Sequence, residues 1–311
     1  MATYYDIFGQ KVQYLSSDPS DVQIGQVWYN STSNTAKVQA ATTVGSWATG
    51  GNLNTARRIL GRAGVVSAGL AMGGVAPPES PTTATEEYDG SSWTNSGAMN
   101  TGQHGLAADG VQTAAYAAGG ANVPAPSASE EYNGATWTSG NPVNSARRYP
   151  VGTGTQTAGL IFGGVGSSAT ETYDGTNWTS VSSMNTARSE FAGAGLQTAT
   201  VAFGATTATE DWNGSSWTTG NNLPYSASSN AGAGIQTAAI SIGGSPGVST
   251  TAIYDGTNWS SNPSLATGRG GAAGAGSSSS DSMVFGGSPN TTATEEFTGA
   301  GAPITQTITT S

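Results

Sequence analysis

The chain has 311 residues, of which 46 are glycine and only 9% are charged. Its 9 Lys and Arg residues against 19 Asp and Glu residues give a formal net charge of −10, the wrong sign for binding a nucleic-acid backbone or an anionic membrane surface. No cysteine is present, which excludes disulfides and thiolate chemistry, whereas 8 Trp, 11 Tyr and 6 Phe supply the aromatic residues that disordered chains lack.

Residues 1–43 precede a repeat that fills most of the chain. The opening MATYYDIFGQKVQYL lacks the basic start and continuous apolar core of a secretion signal. Nowhere do about 18 apolar residues run together, so we expect no membrane insertion. The segments GQVWYN, STSNT and AKVQA predict a hairpin that carries Trp28 and Tyr29.

From residue 44 a pattern of about 40 residues recurs, which is typical of repeat architectures. Each copy contains an aromatic residue, an Asp-Gly or Asn-Gly pair, and a tryptophan five residues after the aromatic one. The tryptophans are Trp47, Trp93, Trp137, Trp178, Trp217 and Trp259, and the aromatic residues that begin the phrase are Tyr88, Tyr132, Tyr173, Trp212, Tyr254 and Phe297. We expect these large side chains to pack the sheets together, because each removes about 150–250 Å² from water.

The rest of each copy predicts short strands. Apolar runs such as AGLIFGG end in a glycine pair and are too short for helices. The ATEEY segment alternates, and the Asp-Gly or Asn-Gly pair after it is a hairpin signal. With one more strand before the glycine pair, each copy supplies four short antiparallel strands, as a propeller blade requires.

The order Tyr-Asp, Trp, apolar-Asn-Thr-Ala-Arg, apolar strand and Gly-Gly resembles the kelch motif. The resemblance implies an all-β fold, a six-bladed kelch-like β-propeller over residues 44–303, preceded by a small N-terminal hairpin segment. The last copy has no tryptophan after Phe297, and the chain begins with an unpartnered VGSW at Trp47. We therefore expect the strand near Trp47 to complete the last blade and close the ring. Residues 304–311 alternate like a strand that can pair with a second copy, which leaves a homo-oligomer open.

Acidic and basic positions recur together. Two residues before the aromatic residue stand Glu86, Glu130, Glu171, Glu210, Ala252 and Glu295, and four residues after a recurrent apolar position stand Arg57, Gln103, Arg147, Arg188, Ala227 and Arg269. The copy with Ala227 also has Ala252. We expect Arg and Glu to bond within or between blades, because losing one partner would strand a buried charge at a cost of about 3–5 kcal/mol. For Arg188 we expect the partner to be Glu171.

The sequence gives no catalytic motif. The carboxylates repeat with the blades instead of occurring once, as a catalytic pair does. The Asp-Gly pairs are adjacent, unlike the Asp-box of sialidases, and His104 is the only histidine. No DxDxDG calcium loop or phosphate-binding loop is present. We expect no enzyme activity, no cofactor and no metal site; calcium at the Asp-Gly turns stays open.

The length variation lies in one connection of each copy, the one after the glycine pair. From the first glycine to the next aromatic residue the separation is 15, 13, 10, 8, 11 and 11 residues. In repeat proteins such insertions map to one face, often the binding face. The candidate binding residues there are Pro77, Pro78, Glu79, Pro81, Asn122, Pro124, Pro126, Ser245, Pro246, Ser288 and Pro289. A second interpretation is that these are tolerant surface loops without a ligand.

A second resemblance concerns function. The GQVWYN hairpin resembles a short module of marine bacteriophage structural and tail-fibre proteins, and the repeats NLNTAR, FGG and ATEEYDG, with the ending FTGAGAPITQTITTS, are similar to kelch-like proteins of phages of cyanobacteria and other marine bacteria. This implies a virion component made in the host cytoplasm, with residues 1–43, including Trp28 and Tyr29, docked to other virion proteins. Two functions stay open: a tail fibre or fibre-like appendage whose loops touch a host-surface glycan or protein, and a passive capsid, neck or tail decoration protein.

Overall fold

The computed structural model describes residues 3–7, 10–20, 22, 25–41, 45–300 and 303–308. Within these ranges the chain consists of strands and connections without a helix, so the predicted all-β class is confirmed. In particular, none of the described residues belongs to a helix able to span a membrane. Two compact units are present: a terminal unit, Met1–Ser46 with Thr298–Ser311, and a repeat unit, Trp47–Phe297. Residues 42–44 and 309–311, at the edges of two predicted segments, lie outside the described residues.

The terminal unit begins with four strands, which are β1 (Thr3–Ile7), β2 (Gln10–Leu15), β3 (Val27–Asn30) and β4 (Thr35–Ala41). Strand β1 pairs with β2 antiparallel, β2 with β3 parallel, and β3 with β4 antiparallel. The β3–β4 pair is the predicted hairpin. Side chains alternate along a strand, so Trp28 is fully buried on one face, whereas Tyr29 is half-buried on the other and stacks on Tyr14 at 5.0 Å.

The Asp18 carboxylate holds the hairpin to the segment that precedes it. It accepts hydrogen bonds from the Trp28 indole at 2.9 Å, from the Asn30 amide at 2.8 Å, and from Lys37 at 2.5 Å. These three hydrogen bonds, of which the one from Lys37 has the largest effect, lower the pKa of Asp18 to about 2. A single carboxylate therefore fixes side chains from both strands of the hairpin.

The repeat unit contains 26 strands among the described residues. The first eleven are β5 (Ser46–Thr49), β6 (Gly61–Val65), β7 (Ala68–Met72), β8 (Val75–Ala76), β9 (Ser80–Pro81), β10 (Thr85–Tyr88), β11 (Trp93–Asn95), β12 (Ala107–Val111), β13 (Ala114–Ala118), β14 (Ser129–Tyr132) and β15 (Trp137–Gly140). The next eight are β16 (Val151–Thr155), β17 (Ala158–Phe162), β18 (Thr170–Tyr173), β19 (Trp178–Val181), β20 (Ala192–Leu196), β21 (Ala199–Phe203), β22 (Thr209–Trp212) and β23 (Trp217–Gly220). The last seven are β24 (Ala231–Ile235), β25 (Ala238–Gly244), β26 (Val248–Tyr254), β27 (Trp259–Asn262), β28 (Ala273–Ser278), β29 (Asp281–Phe285) and β30 (Thr294–Thr298).

These strands form six four-stranded sheets and one two-stranded ribbon, β8–β9, in the described part of the repeat unit. Sheet 1 has the order β6, β7, β10, β11; sheets 2 to 5 take β12–β15, β16–β19, β20–β23 and β24–β27; and sheet 6 has the order β28, β29, β30, β5. Strands pair antiparallel through sheets 1 to 5. First strands of consecutive sheets contact one another, and β28 contacts β6. This repeated arrangement is consistent with a β-propeller.

The third strand of each sheet explains the recurrent ATEEY phrase. In β10, Thr85 and Glu87 lie on one face, and both accept hydrogen bonds from sheet 2. The Trp137 indole donates to the Thr85 hydroxyl at 2.9 Å, and the Tyr132 hydroxyl donates to the Glu87 carboxylate. The alternation therefore places Thr85 and Glu87 of this phrase against the next sheet.

The same two bonds recur around the unit. Indole-to-threonine bonds of 3.0 Å join Trp93 to Thr294, Trp217 to Thr170 and Trp259 to Thr209, and tyrosine-to-carboxylate bonds join Tyr88 to Glu296, Tyr173 to Glu131 and Tyr254 to Asp211. The aromatic rings are buried or half-buried between sheets. Burial is the main reason that the pKa of Tyr88 and Tyr132 is raised to about 12, and the hydrogen bond to the neighbouring carboxylate adds to the rise.

The opposite face of the third strand carries the acid predicted to pair with arginine. Four buried ion pairs occur in the described part of the repeat unit, namely Arg57–Glu86, Arg147–Glu171, Arg188–Glu210 and Arg269–Glu295. The predicted Arg–Glu bond is thus confirmed, but the choice of Glu171 for Arg188 is wrong. Each arginine lies in the connection that enters a sheet and bonds to the third strand of that same sheet, which comes later in the chain.

Sheet 2 departs from this pattern because Gln103 stands in the arginine position. Glu130 is 5% exposed and accepts only the N–H groups of Asn100 and Thr101 among the bonds seen, at 2.7 and 3.1 Å. A cavity of about 10 Å³ lies between Gln103, Gly119, Ala128 and Glu130. In sheet 1 the equivalent of this space holds the arginine head group, so the cavity is the volume that a shorter side chain leaves.

Sheet 5 departs further, since Ala227 and Ala252 replace both charged partners. Here the Tyr225 hydroxyl lies 2.9 Å from the Ser241 hydroxyl, which also accepts from the Asn230 amide at 3.0 Å. Burial raises the pKa of Tyr225 to about 12. A neutral hydrogen-bonded cluster thus occupies this sheet where sheets 1, 3, 4 and 6 bury an ion pair.

The last strand, β31 (Pro303–Ile308), belongs to the terminal unit. It pairs antiparallel with β4 of the same chain and completes a five-stranded sheet. The predicted strand-like tail therefore has one edge paired within its own chain. In the order of that sheet β31 is an outermost strand, so its other edge has no partner strand among the described residues.

Candidate functional site

All the uneven connections lie at one end of the six sheets. They join second to third strands, and antiparallel strands place them at the same end as the connections that enter each sheet. Hydrogen bonds tie the two kinds of connection together: Val75 N–H donates to the Arg58 carbonyl at 2.8 Å, and Ala121 N–H to the His104 carbonyl at 2.7 Å. The same bond joins Val165 to Arg148, Ser245 to Ser228 and Ser288 to Gly270. We call this end of the repeat unit the loop end.

The predicted residues of the longest loop are exposed, and three of them are Pro77, Pro78 and Pro81. The fourth, Glu79, is engaged: its two carboxylate oxygens accept from the Arg58 guanidinium at 3.0 and 2.6 Å, and one also accepts from the Asn290 amide at 3.1 Å. The bond from Arg58 lowers the pKa of Glu79. Glu79 thus ties the loop of sheet 1 to the loop of sheet 6.

In the second loop, Asn122 is also engaged. Its amide donates to the Gly102 carbonyl at 2.9 Å, and its side-chain oxygen lies 3.1 Å from His104 Nδ1. Partial burial lowers the pKa of His104. The remaining predicted residues of this loop, Pro124 and Pro126, are exposed and half-buried, respectively. Among the described residues, no group of three or more His, Asp and Glu side chains is placed to hold a metal ion.

Four predicted loop residues come together at one cavity. Ser245 and Pro246 of sheet 5, with Ser288 and Pro289 of sheet 6, line a cleft of about 530 Å³. Glycines complete the lining, so the cleft offers backbone groups and hydroxyls more than charged side chains. The other predicted loop residues do not line this cleft.

A second cavity at the loop end collects residues from all six sheets. Its volume is about 110 Å³, and its opening is framed by one residue from each entering connection. These six rim residues, each two positions after the recurrent arginine position, are Ile59, Gly105, Tyr149, Glu190, Ser229 and Gly271. The rim is thus one structural position, at which the six copies carry five different residue types.

All six rim residues adopt the left-handed backbone region, with φ between 51° and 63°. A chain of backbone hydrogen bonds links five of them, in which Gly105 donates to Ile59 at 2.9 Å, Ile59 to Gly271 at 2.6 Å, Gly271 to Ser229 at 2.7 Å and Ser229 to Glu190 at 2.6 Å. Glycine adopts this conformation freely, whereas other residues incur a cost of roughly 1–2 kcal/mol. Four rim positions nevertheless carry side chains.

The side chains at the rim are held by their neighbours. Tyr149 lies over Gly105, where a Cβ atom would be only 2.6 Å from the tyrosine ring. The Arg148 guanidinium lies 5.9 Å from the centre of that ring, and His104 meets it edge-on at 6.3 Å. On the next part of the rim, the Ser229 hydroxyl donates to the Glu190 carboxylate at 3.1 Å.

Below the rim the cavity is lined by Leu60, Leu106, Pro150, Phe191, Asn230 and Ala272. The same six residues also line a second cavity of about 110 Å³, whose lining adds Arg62 and residues of the first strands. Beneath this layer the Arg62 side chain extends from β6 to the Asp109 carboxylate at 3.2 Å and donates to the Gly193 carbonyl at 2.9 Å. Burial raises the pKa of Asp109, and Arg62 opposes that rise. The bonds of Arg62 therefore link three sheets below the rim cavity.

Sequence reasoning found the uneven loops but missed the rim. Ile59, Tyr149, Glu190 and Ser229 belong to no motif, and their left-handed conformation leaves no trace in residue type. One signal was available: within a phrase that otherwise repeats, this position changes its chemistry from copy to copy.

The comparisons with known proteins give no family. No protein-family model matches the chain, and no curated protein sequence matches it.

Proposed function

We propose that the repeat unit is a six-bladed kelch-like β-propeller closed by β5. Several contacts support closure at sheet 6: the Trp47 indole donates to the Pro263 carbonyl at 2.9 Å, its ring lies 5.0 Å from that of Phe297, and Gly50 N–H donates to the Thr294 carbonyl at 3.0 Å. The contact between β28 and β6 supports a continuous ring of first strands. A closed ring leaves only the short outermost strands of the blades as sheet edges.

As its function, we propose a bacteriophage virion protein, a tail-fibre or fibre-like component that displays this propeller for recognition of a glycan or protein on the host surface. The observation that carries the proposal is that the uneven loops and the varied rim residues meet at the loop end. Copies that share the four-stranded arrangement and the recurrent aromatic positions differ in loop length and in rim chemistry, and both differences lie at that end. A scaffold that holds varied groups at one place suits recognition.

The chemistry of the loop end favours binding over catalysis. Among the described residues that line the rim cavity, Glu190 is the one acid, and most glycoside hydrolases need two carboxylates across the scissile bond. The rest of the lining of the rim cavity is uncharged, with the Ser229 hydroxyl, the Asn230 amide and the Tyr149 ring among its groups. These groups suit reversible hydrogen bonding and stacking.

In this proposal the terminal unit attaches the chain to other virion proteins. The stacked Tyr14 and Tyr29 support that role, since Tyr14 is 43% exposed and offers an aromatic surface for a partner. Trp28 contributes from inside by fixing the hairpin on Asp18. A passive decoration protein of the capsid, neck or tail is the second candidate.

Adsorption of the labelled protein to a panel of cyanobacterial and other marine bacterial cells tests the proposal. In one variant, residues 75–85 and 121–129 are replaced by the short connection of sheet 4, residues 205–209. We expect the unmodified protein to adsorb to at least one strain and the variant to lose adsorption, with an unchanged thermal melting profile as the control for folding. Equal adsorption by both proteins, or none by the unmodified one across the panel, would favour the decoration role.

A further inference from the structure

Four rim side chains are retained where glycine fits the backbone better. Gly105 and Gly271 show that the rim hydrogen bonds need no side chain. Ile59 and Tyr149 are the least expected residues in a left-handed conformation, because β-branched and bulky side chains rarely adopt it. Strained positions that the surrounding fold enforces concentrate at functional sites. The rim side chains therefore point to a ligand.

Tyr149 provides a preformed platform. Its ring is half-buried, with Gly105 against it, the Arg148 guanidinium over it and His104 edge-on to it, so little freedom remains to be lost on binding. A tyrosine ring offers a flat apolar face and one polar tip. A pyranose ring matches such a face, since it presents C–H groups on one side and hydroxyls around its edge.

Glu190 and Ser229 supply the directional contacts. The Glu190 carboxylate is exposed and takes one hydrogen bond from Ser229, which leaves further acceptor positions for ligand hydroxyls. The rim backbone groups bond to one another along most of the rim, so recognition falls to these side chains. Next to the Glu190 carboxylate an anionic group is repelled and a neutral hydroxyl group is favoured.

The size of the cavity limits the ligand. At about 110 Å³ it is smaller than the cavity of roughly 150 Å³ that holds a benzene molecule. Below it, the Arg62 side chain lines a second cavity of about the same volume. The cavity therefore accepts part of one six-membered ring that enters from the loop end.

From this geometry we propose that the rim cavity binds a single neutral sugar residue at the end of a host-surface glycan, with Tyr149 as the stacking platform and Glu190 with Ser229 as the hydroxyl-binding pair. The inference rests on the proposed recognition function and names its ligand class. The loops around the rim then contact the sugars or protein next to the terminal residue.

Saturation-transfer NMR with methyl glycosides tests the inference. The probes are the methyl glycosides of glucose, galactose, mannose and N-acetylglucosamine, with methyl glucuronide as the anionic member. We expect transfer to at least one neutral probe and none to the glucuronide. Transfer to no neutral probe, or to the glucuronide as strongly as to its neutral parent, would overturn the inference.

Three variants assign the site. Tyr149→Gly installs the residue that Gly105 and Gly271 already use, so the backbone is satisfied and the platform alone is removed. Glu190→Gln keeps a partner for Ser229 while removing the charge. The matched control, Asp281→Asn, removes the same charge from a carboxylate at the opposite end of sheet 6 that also accepts a serine hydroxyl, from Ser277 at 2.8 Å.

We expect Tyr149→Gly to abolish transfer, Glu190→Gln to weaken binding at least about tenfold, and Asp281→Asn to leave it unchanged, all with cooperative melting. Retained binding by folded Tyr149→Gly would overturn the site assignment. Cell adsorption separates the two proposals: if the loop replacement abolishes adsorption while Tyr149→Gly and Glu190→Gln adsorb normally, host recognition stands and the sugar site fails. If sugars bind the rim but no cell is adsorbed, the host-recognition proposal fails alone.

Discussion

Arg57 and Glu86 are both fully buried, and the arginine Nη2 lies 2.8 Å from the glutamate Oε1. Further bonds complete the pair: Arg57 donates to the Gly73 and Ala84 carbonyls at 3.0 and 2.7 Å, and Glu86 accepts the Asn54 N–H at 2.6 Å. Burial lowers the pKa of Arg57, and the charge of Glu86 opposes that shift. The pair therefore joins an entering connection to the third strand of its sheet.

We expect the loss of one partner of this ion pair to lower the stability of the protein more than its share of the loss of both partners together. Arg57→Ala should lower the free energy of unfolding by about 3–5 kcal/mol, because Glu86 is left buried and charged. The double variant with Glu86→Ala should lose less than the sum of the single variants, as measured by chemical denaturation. Arg188→Ala with Glu171→Ala is the control, since these residues belong to different ion pairs, and its effects should add within about 0.5 kcal/mol. Additive effects in the Arg57–Glu86 cycle would contradict the coupling.

Gln103→Arg should stabilise the protein. The longer side chain fills the cavity of about 10 Å³ and gives Glu130 the partner that its counterparts have. We expect a gain of about 1 kcal/mol in the free energy of unfolding. Ala227→Arg is the matched control, because Ala252 offers no carboxylate there, and it should destabilise by about 3 kcal/mol or more. A loss of stability in Gln103→Arg would show that the cavity is not a vacant guanidinium position.

The terminal unit should weaken in acid with a midpoint set by Asp18. The folded pKa of about 2 lies below the unfolded value of about 3.9. The stability that the Asp18 bonds contribute is therefore fully present above pH 4 and is lost as the pH falls through 2. The Trp28 indole N–H resonance reports the titration by NMR, because this group donates directly to Asp18. A midpoint near 4 would mean that the three hydrogen bonds do not form in solution.

Deletion of residues 44–52 should destabilise the repeat unit as a whole. It removes all of β5, the fourth strand of sheet 6, with Trp47 and the Gly51 N–H that donates to the Tyr88 hydroxyl of sheet 1 at 3.1 Å. Calorimetry should show a lower transition temperature for the repeat unit, still cooperative. Deletion of residues 303–311 serves as the comparison, because β31 pairs with β4 in the terminal unit. Unchanged cooperative melting after the first deletion would contradict closure through β5.

The strands could be predicted because every copy restates the same alternation. The joint absence of charge at Ala227 and Ala252 also sufficed to predict the Arg–Glu bond. The partner of Arg188 was predicted wrongly, since spacing alone does not tell whether an arginine bonds to the sheet it leaves or to the one it enters. Structure resolves this because the third strand of the entered sheet passes directly beside the connection.

The rim could not be predicted, for a different reason. Its backbone conformation arises from hydrogen bonds between sheets, and nothing in the local preference of Ile59 or Tyr149 favours it. The roles of Glu79 and Asn122 were hidden in the same way. The sequence gives no sign that either side chain has a partner. Glu79 binds Arg58 and Asn122 binds His104 because the fold brings these connections next to each other.

The chain enters the repeat unit at Trp47 and leaves it at Phe297, and these two rings are in contact within one sheet. Tension transmitted along the chain from the terminal unit would act on the neighbouring strands β5 and β30 and leave sheets 1 to 5 outside the path of the load. Mechanical failure would then start at sheet 6. The remaining sheets would keep their geometry until that sheet had opened.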